Sequence, residues 1–163
     1  LLPGFEPRRL KREVALIHND CGNFLDQWVH LAANPSSPCV LSRGIQRLEL
    51  PVRHGEGKFF APPAVLDRLA DQKQVAFTYI RPDGRPADGE APHNPNGSLG
   101  DIAGICDPTG RITGLMPHPE AFNHWTNHPD WTLHKEIAQR IGSSLPEEGE
   151  GVRIFRNAVE YFR

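Results

Sequence analysis

Apolar residues alternate with polar ones in several short stretches of the chain, and each such stretch predicts a half-buried strand. Glu13–Ile17, Gln27–Leu31, Gln46–Val52 and Gln74–Ile80 read this way. Asp101–Cys106 and Arg111–Met116 form a further pair. Between them stands Asp107-Pro108-Thr109-Gly110, whose proline and glycine supply the torsions of a hairpin turn. Pro63–Ala70 reads as a short helix with proline in its first turn, and Thr132–Ile141 as a second. Val152, Phe155, Val159 and Phe162 share one helical face, which predicts a closing helix over 152–163 that docks that face on a core. Three segments lack a period. Asn34–Pro38 is a loop, with a turn or short helix over Cys39–Gly44 after it; Arg81–Ser98 is a long shaped loop dense in Pro, Gly, Asp and Asn; Pro146–Gly151 is an acidic spacer. Leu1-Leu2-Pro3-Gly4 reads as the frayed end of a helix running into a turn.

At 163 residues, with 38% hydrophobic and 23% charged positions, the chain is sized for one domain with its own core. No apolar run reaches bilayer length. The formal net charge of −2, with both signs interleaved, provides no electrostatic footprint for nucleic acid or anionic lipid. Cys21, Cys39 and Cys106 form an odd set without CxxC spacing, so reduced thiols in a cytoplasm are expected rather than a disulfide framework or a four-cysteine metal site.

Pro117-His118-Pro119-Glu120 is the sharpest chemical signal, because it follows an apolar strand directly. An imidazole that takes and returns a proton needs a group that selects its tautomer and supports the imidazolium. A carboxylate two residues away on a proline-spaced turn can do both. His54-Gly55-Glu56-Gly57 ends a strand in two glycines that let backbone N–H groups come close to a small ligand. Asn94-Pro95-Asn96-Gly97-Ser98 is a second corner of the same kind. His124, His128 and His134 raise zinc as a possibility, but their spacing fits no standard ligand set and Pro129 interrupts it, so no metal site is assigned.

Taken in order, Pro51–Phe59 (PVRHGEGKF), Asn94–Ser98, Asp101–Asp107, Gly114–Glu120 (GLMPHPE) and Phe155–Phe162 resemble the glutaminase subunit of phosphoribosylformylglycinamidine synthase, a triad-type (class I) glutamine amidotransferase. The resemblance spans nearly the whole chain. It implies an α/β fold of the flavodoxin-like, doubly wound type with added antiparallel hairpins, and residues 1–163 as the C-terminal part of a single amidotransferase domain. It implies that His118 is the general base and acid and Glu120 its orienting carboxylate. Glutamine is then bound around His54, Gly55, Glu56 and Gly57, while Asn94 and Asn96 shape the rim of that cleft or a subunit contact.

The implied reaction passes through a cysteine thioester of glutamine and sends ammonia to a large synthetase subunit, with a small accessory subunit in the same complex. ATP and magnesium are used by the synthetase, and no cofactor is expected in this chain. The family's nucleophile stands on a Gly-x-Cys-Asn-Gly elbow that is not in this sequence and is expected upstream of Leu1, together with the oxyanion-hole loop. On this reading the piece is truncated at its N-terminus, inactive by itself, and leaves sheet edges and an apolar face uncovered. Cys21 replaces a small polar residue after a strand and is read as a buried or partly buried thiol; Cys39 and Cys106 are read as packing residues. Trp125 and Trp131 lie in an elaborated loop, Phe122–Trp131, and either pack internally or meet the synthetase. Two other readings stay open: a non-catalytic pseudo-glutaminase that only binds a synthetase, and a small zinc-dependent hydrolase built on the His-rich loop.

Overall fold

The computed structural model describes residues 2–6 and 11–163. Its strands are β1 (Ala15–Ile17), β2 (Leu25–Ala33), β3 (Arg47–His54), β4 (Lys58–Phe60), β5 (Val75–Ile80), β6 (Ile102–Cys106) and β7 (Thr113–Leu115). Its helices are α1 (Pro63–Asp71), α2 (Trp131–Arg140) and α3 (Val152–Tyr161). Five strands form one sheet in the order β3-β2-β5-β6-β7, and β1 pairs with β4 in a separate two-stranded ribbon. Among the described residues every pairing is antiparallel, so the hairpin component of the expected α/β fold is the part these strands build.

Alternation sets the register. Val29, Leu31 and Ala33 of β2 face the core, opposite Leu48, Leu50 and Val52 of β3, with Leu31 paired to Leu48 and Val29 to Leu50. A slip of one residue would turn both apolar sets to solvent, which fixes the pairing. Central β5 adds Phe77 and Tyr79, and the same cluster takes in Cys39, Ile45, Cys106, Phe122 and Ile154. A second cluster forms under α1, where Val65 and Leu69, four residues apart, meet Phe59, Ile102 and Ile105.

Expectations at both ends of the chain change. Residues 2–6 carry no helix; Pro3 is buried and Gly4 turns at φ +79°, while Leu1 lies outside the described residues. The closing helix α3 forms, but not with the expected face inward. Phe155, Val159 and Phe162 are 48%, 53% and 73% exposed, and Ile154 is the buried side chain. Asn157 explains the rotation: its Nδ2 donates to the carbonyls of Leu41 and Arg43, both at 2.8 Å. These carbonyls belong to the 3₁₀ turn at Val40–Ser42 and its cap, so a polar anchor overrode the apolar stripe.

Candidate active site

β7 delivers its chain end to Met116 and Pro117. The N–H of Met116 bonds to Ala103 O at 3.0 Å, and that of His118 to Pro51 O at 2.8 Å, so His118 hangs between β6 and β3. Prolines on both sides restrict its backbone. Pro119–Ala121 winds one 3₁₀ turn that swings Glu120 back over the ring. His118 Nδ1 then lies 2.8 Å from Glu120 Oε1. Partial burial pushes the Glu120 carboxyl up, but hydrogen bonds from His118 and from the backbone outweigh it and hold the carboxyl below its usual range. An ionised acceptor makes Nδ1 the donor, so in the neutral imidazole Nε2 is the nitrogen with the lone pair. That Nε2 is buried and has no partner among the described residues. His118 and Glu120 help to line a cavity of about 330 Å³ together with Leu41, Phe77, Thr113, Leu115, Ile154 and Phe155.

The glycine corner is organised differently. His54 is 7% exposed and closes a polar network rather than lining that cavity. Asn19, from the turn after β1, accepts from His54 Nδ1 and from Gly57 N, each at 3.0 Å, and donates to the carbonyls of His54 (2.8 Å) and Asn23 (2.9 Å). Asn96 directs its Nδ2 at His54 Nε2 (3.5 Å) and Tyr79 Oη (3.1 Å), while its Oδ1 accepts from Ser98 Oγ at 2.6 Å. Both asparagines are oriented by their other bonds, so His54 is a neutral imidazole with Nδ1–H donating and Nε2 accepting. Burial, then the charge of His118, lowers its pKa from the ordinary value. Gly57 is obligatory here, because a Cβ would sit 2.1 Å from the His54 ring. Gly55 is half-buried with open space around it, and Glu56 is exposed, 3.5 Å from His18 Nδ1. Asn94, 1% exposed, accepts from Gly97 N and Ser98 N and donates to Ser98 O and Asp101 Oδ1. His118 and Glu120 are thus brought into direct contact; His54, Gly57, Asn94 and Asn96 form an adjoining rigid corner, linked to them by charge through His54.

Asn19 is the residue that spacing and composition passed over. Its sequence signal is an asparagine two residues after an apolar strand, opening the Asn19-x-Cys21-x-x-Phe24 stretch that resembles the family's Asn-x-Ser-x-x-Phe. Cys21 corrects an expectation: it is exposed, with Sγ 3.6 Å from Asn23 O, because the 19–23 turn projects it into solvent. Cys39 and Cys106 are buried, as packing residues should be. His128 and His134 meet edge to face at 5.0 Å inside an aromatic cluster with Trp28, Phe122 and Trp125. His128 Nδ1 accepts from Asp130 N at 3.1 Å, and no set of three or more His, Cys, Asp or Glu side chains is arranged around an ion among the described residues. Trp125 packs internally through Phe122.

A strand-to-turn histidine oriented by a carboxylate, on antiparallel hairpins with helices, is an arrangement that glutamine amidotransferases of the triad type share. The profile of the CobB/CobQ-like glutamine amidotransferase domain matches residues 1–162, and the chain belongs to that family. Its relatives include the phosphoribosylformylglycinamidine synthase subunit PurQ of Methanococcus maripaludis (strain DSM 14266), 46% identical over 93% of this chain and 56% of that protein. The PurQ of Dehalococcoides mccartyi is 43% identical over 100% of this chain and 58% of its own length. The chain therefore spans little more than half the length of the curated relatives it matches. Among solved structures, PurLQS from Thermotoga maritima shares the fold, with a TM-score of 0.57 and 22% identity over 94% of this chain and 55% of that one. No helix among the described residues is long and apolar enough to cross a membrane.

Proposed function

We propose that this chain supplies the acid–base half of a glutaminase that feeds ammonia to the synthesis of formylglycinamidine ribonucleotide. The single observation that carries the reading is His118: its Nδ1 is committed to Glu120, and its Nε2 is buried with no partner among the described residues. Such an atom is built to take a proton from a thiol. In the proposed reaction, Nε2 accepts the proton of a cysteine thiol as the sulfur attacks the side-chain carbonyl of glutamine. It then passes the proton to the departing ammonia, leaving a thioester. Water attacks the thioester carbonyl, its proton goes to Nε2, and the returning thiol releases glutamate. Glu120 holds the ring and supports the imidazolium throughout.

The nucleophile in this scheme is a cysteine other than Cys21, Cys39 and Cys106. Cys21 faces solvent and the other two are buried among core residues. The outer edge of β7 has no strand paired to it among the described residues, and residues of β7 help to line two apolar cavities; that edge is where a strand carrying the cysteine would pair. The corner at His54–Gly57 would bound the glutamine cleft, with Asn94 and Asn96 keeping its rim rigid. Similarity to subunits named for phosphoribosylformylglycinamidine synthase, and to a PurLQS structure, supports a synthetase as the ammonia acceptor and the user of ATP. The test is glutamate release by this chain joined to the nucleophile-bearing segment and supplied with its synthetase. Replacing His118 by alanine should lower turnover roughly 10²–10⁴-fold, the usual acid–base contribution. Unchanged turnover in His118→Ala would sink the assignment.

A further inference from the structure

Strand β3 holds both ends of the turn that carries the histidine–carboxylate pair. At one end, Pro51 O accepts from His118 N at 2.8 Å. The other end closes just beyond Glu120, where Phe122 N donates to Pro119 O at 3.1 Å. The buried ring of Phe122 meets Trp28 of β2 and Trp125 edge to face, at 5.0 and 5.3 Å, and stands 5.8 Å from the ring of His128. There is no slack behind it: Gly151 N donates to Phe122 O at 3.0 Å, and a Cβ on Gly151 would come within 1.9 Å of Pro119 O. His128 closes this box and ties it back to the strand. It is buried, and its Nδ1 accepts from Asp130 N at 3.1 Å, so the neutral ring bears its hydrogen on Nε2. That N–H makes no aligned hydrogen bond; the acceptor it faces is Glu49 Oε2 at 3.4 Å. Glu49 stands two residues before Pro51 on β3. Its other carboxylate oxygen lies 3.8 Å from His30 Nε2, and its backbone N–H donates to Glu150 Oε2 at 3.0 Å.

We infer that His128 is a positioning residue of the proposed glutaminase: through Glu49 it locks the Phe122 end of the 118–122 turn to β3, and so fixes the Glu120 carboxylate against His118 Nδ1. The inference rests on the acid–base reading of that pair. A histidine among aromatic rings packs, and packing alone asks nothing of its Nε2. Here a carboxylate from the very strand that anchors His118 stands at that atom. Glu120 needs such support. It is exposed, and the one side chain it bonds among the described residues is His118, at 2.8 Å. Its place over the ring is therefore set by the turn beneath it, and a turn that drifted by about 1 Å would lose the bond. Misplacement of that order can lower a rate about 10²-fold. The ring would also lose the group that selects its tautomer.

The experiment uses this chain joined to the nucleophile-bearing segment and supplied with its synthetase. His128→Phe keeps an aromatic ring in the cluster and removes both nitrogens. Glu49→Leu, at a half-buried position, removes the carboxylate from the other side, and Glu49→Gln keeps an oxygen for the His128 N–H. His128→Phe and Glu49→Leu should each lower kcat for glutamate release by roughly 10–10²-fold with KM unchanged, because the His118–Glu120 pair acts in the transition state. The double variant should fall no further than either single one, and Glu49→Gln should recover most of the turnover. Nitrogen NMR shifts of the His118 ring supply a readout that lost packing would not move. In folded His128→Phe and Glu49→Leu, the Nδ1–H tautomer held by Glu120 should give way to the Nε2–H form. The inference is overturned if these variants fold and His118 keeps its Nδ1–H tautomer, or if kcat stays at the parent value. Should His128→Phe fail to fold, Glu49→Leu decides alone. Parent turnover in His118→Ala would instead remove the acid–base reading, and the tautomer measurement would still decide whether His128 and Glu49 place Glu120.

Discussion

Asn19→Ala removes the side chain that joins three segments, and its cost can be worked from the bonds it makes. Four hydrogen bonds end on the Asn19 side chain: from His54 Nδ1, from Gly57 N, to His54 O and to Asn23 O. The bond to Asn23 O is only partly buried, and water can replace it. The other three leave a ring N–H, a backbone N–H and a carbonyl buried without partners. At about 1–3 kcal/mol for each orphaned group, the sum runs from roughly 3 to 9 kcal/mol. The small cavity left behind can admit a water that answers some of this demand, so we take the lower end, about 3 kcal/mol. For a chain of this size each kcal/mol shifts the melting midpoint by about 2–4 °C, so Asn19→Ala should melt roughly 6–12 °C lower. Urea unfolding followed by circular dichroism measures the loss directly. Asn23→Ala, in the same turn but exposed, is the control, with less than about 0.5 kcal/mol expected. A loss below about 1 kcal/mol for Asn19→Ala would show that the three groups are not buried together as described, and the hub would be refuted.

Other outcomes follow from the same geometry. His54 has a lowered pKa, first from burial and then from His118. Below the ordinary value of 6.5 the unfolded chain therefore binds a proton that the folded one refuses. Stability should be fully present above that value and fall as pH drops through the folded pKa; denaturant midpoints across that range, compared with His54→Asn, check the sign. Gly57→Ala places a methyl 2.1 Å from the His54 ring, so it should destabilise by about 1–3 kcal/mol, read from the same unfolding curves. Phe155, Val159 and Phe162 leave an apolar stripe on α3 open to solvent, and the chain alone should self-associate through it. Light scattering of Phe155→Ser/Phe162→Ser should show the association weakened with little change in melting, and a monomeric parent chain would contradict the idea.

Much of the local structure was legible along the chain, because a half-buried strand writes its exposure as alternation. Val29, Leu31, Leu48, Leu50 and Val52 could be placed inward before any contact was known. Pro108 and Gly110 marked the hairpin turn, and Pro63 marked the first turn of α1. The proline-spaced His118 and Glu120 lie two residues apart, so their meeting was a local matter that sequence could encode. What alternation cannot report is which of several polar residues from distant segments will meet. Asn19 reaches Gly57 across 38 positions and Asn157 reaches Leu41 across 116; both bonds satisfy backbone groups whose need arises only once the chain has folded.

Sequence by itself thus determined six of the seven described strands, the hairpin turn and the histidine–carboxylate pair, since each depends on neighbours within a few residues; β4, three residues long after a glycine corner, was too short to show a period. Only the tertiary structure decided which face of α3 docks, why His54 must stay neutral, and that Cys39 and Cys106 join one buried cluster. These are long-range pairings, settled by the need to satisfy every buried polar group at once rather than by any local period.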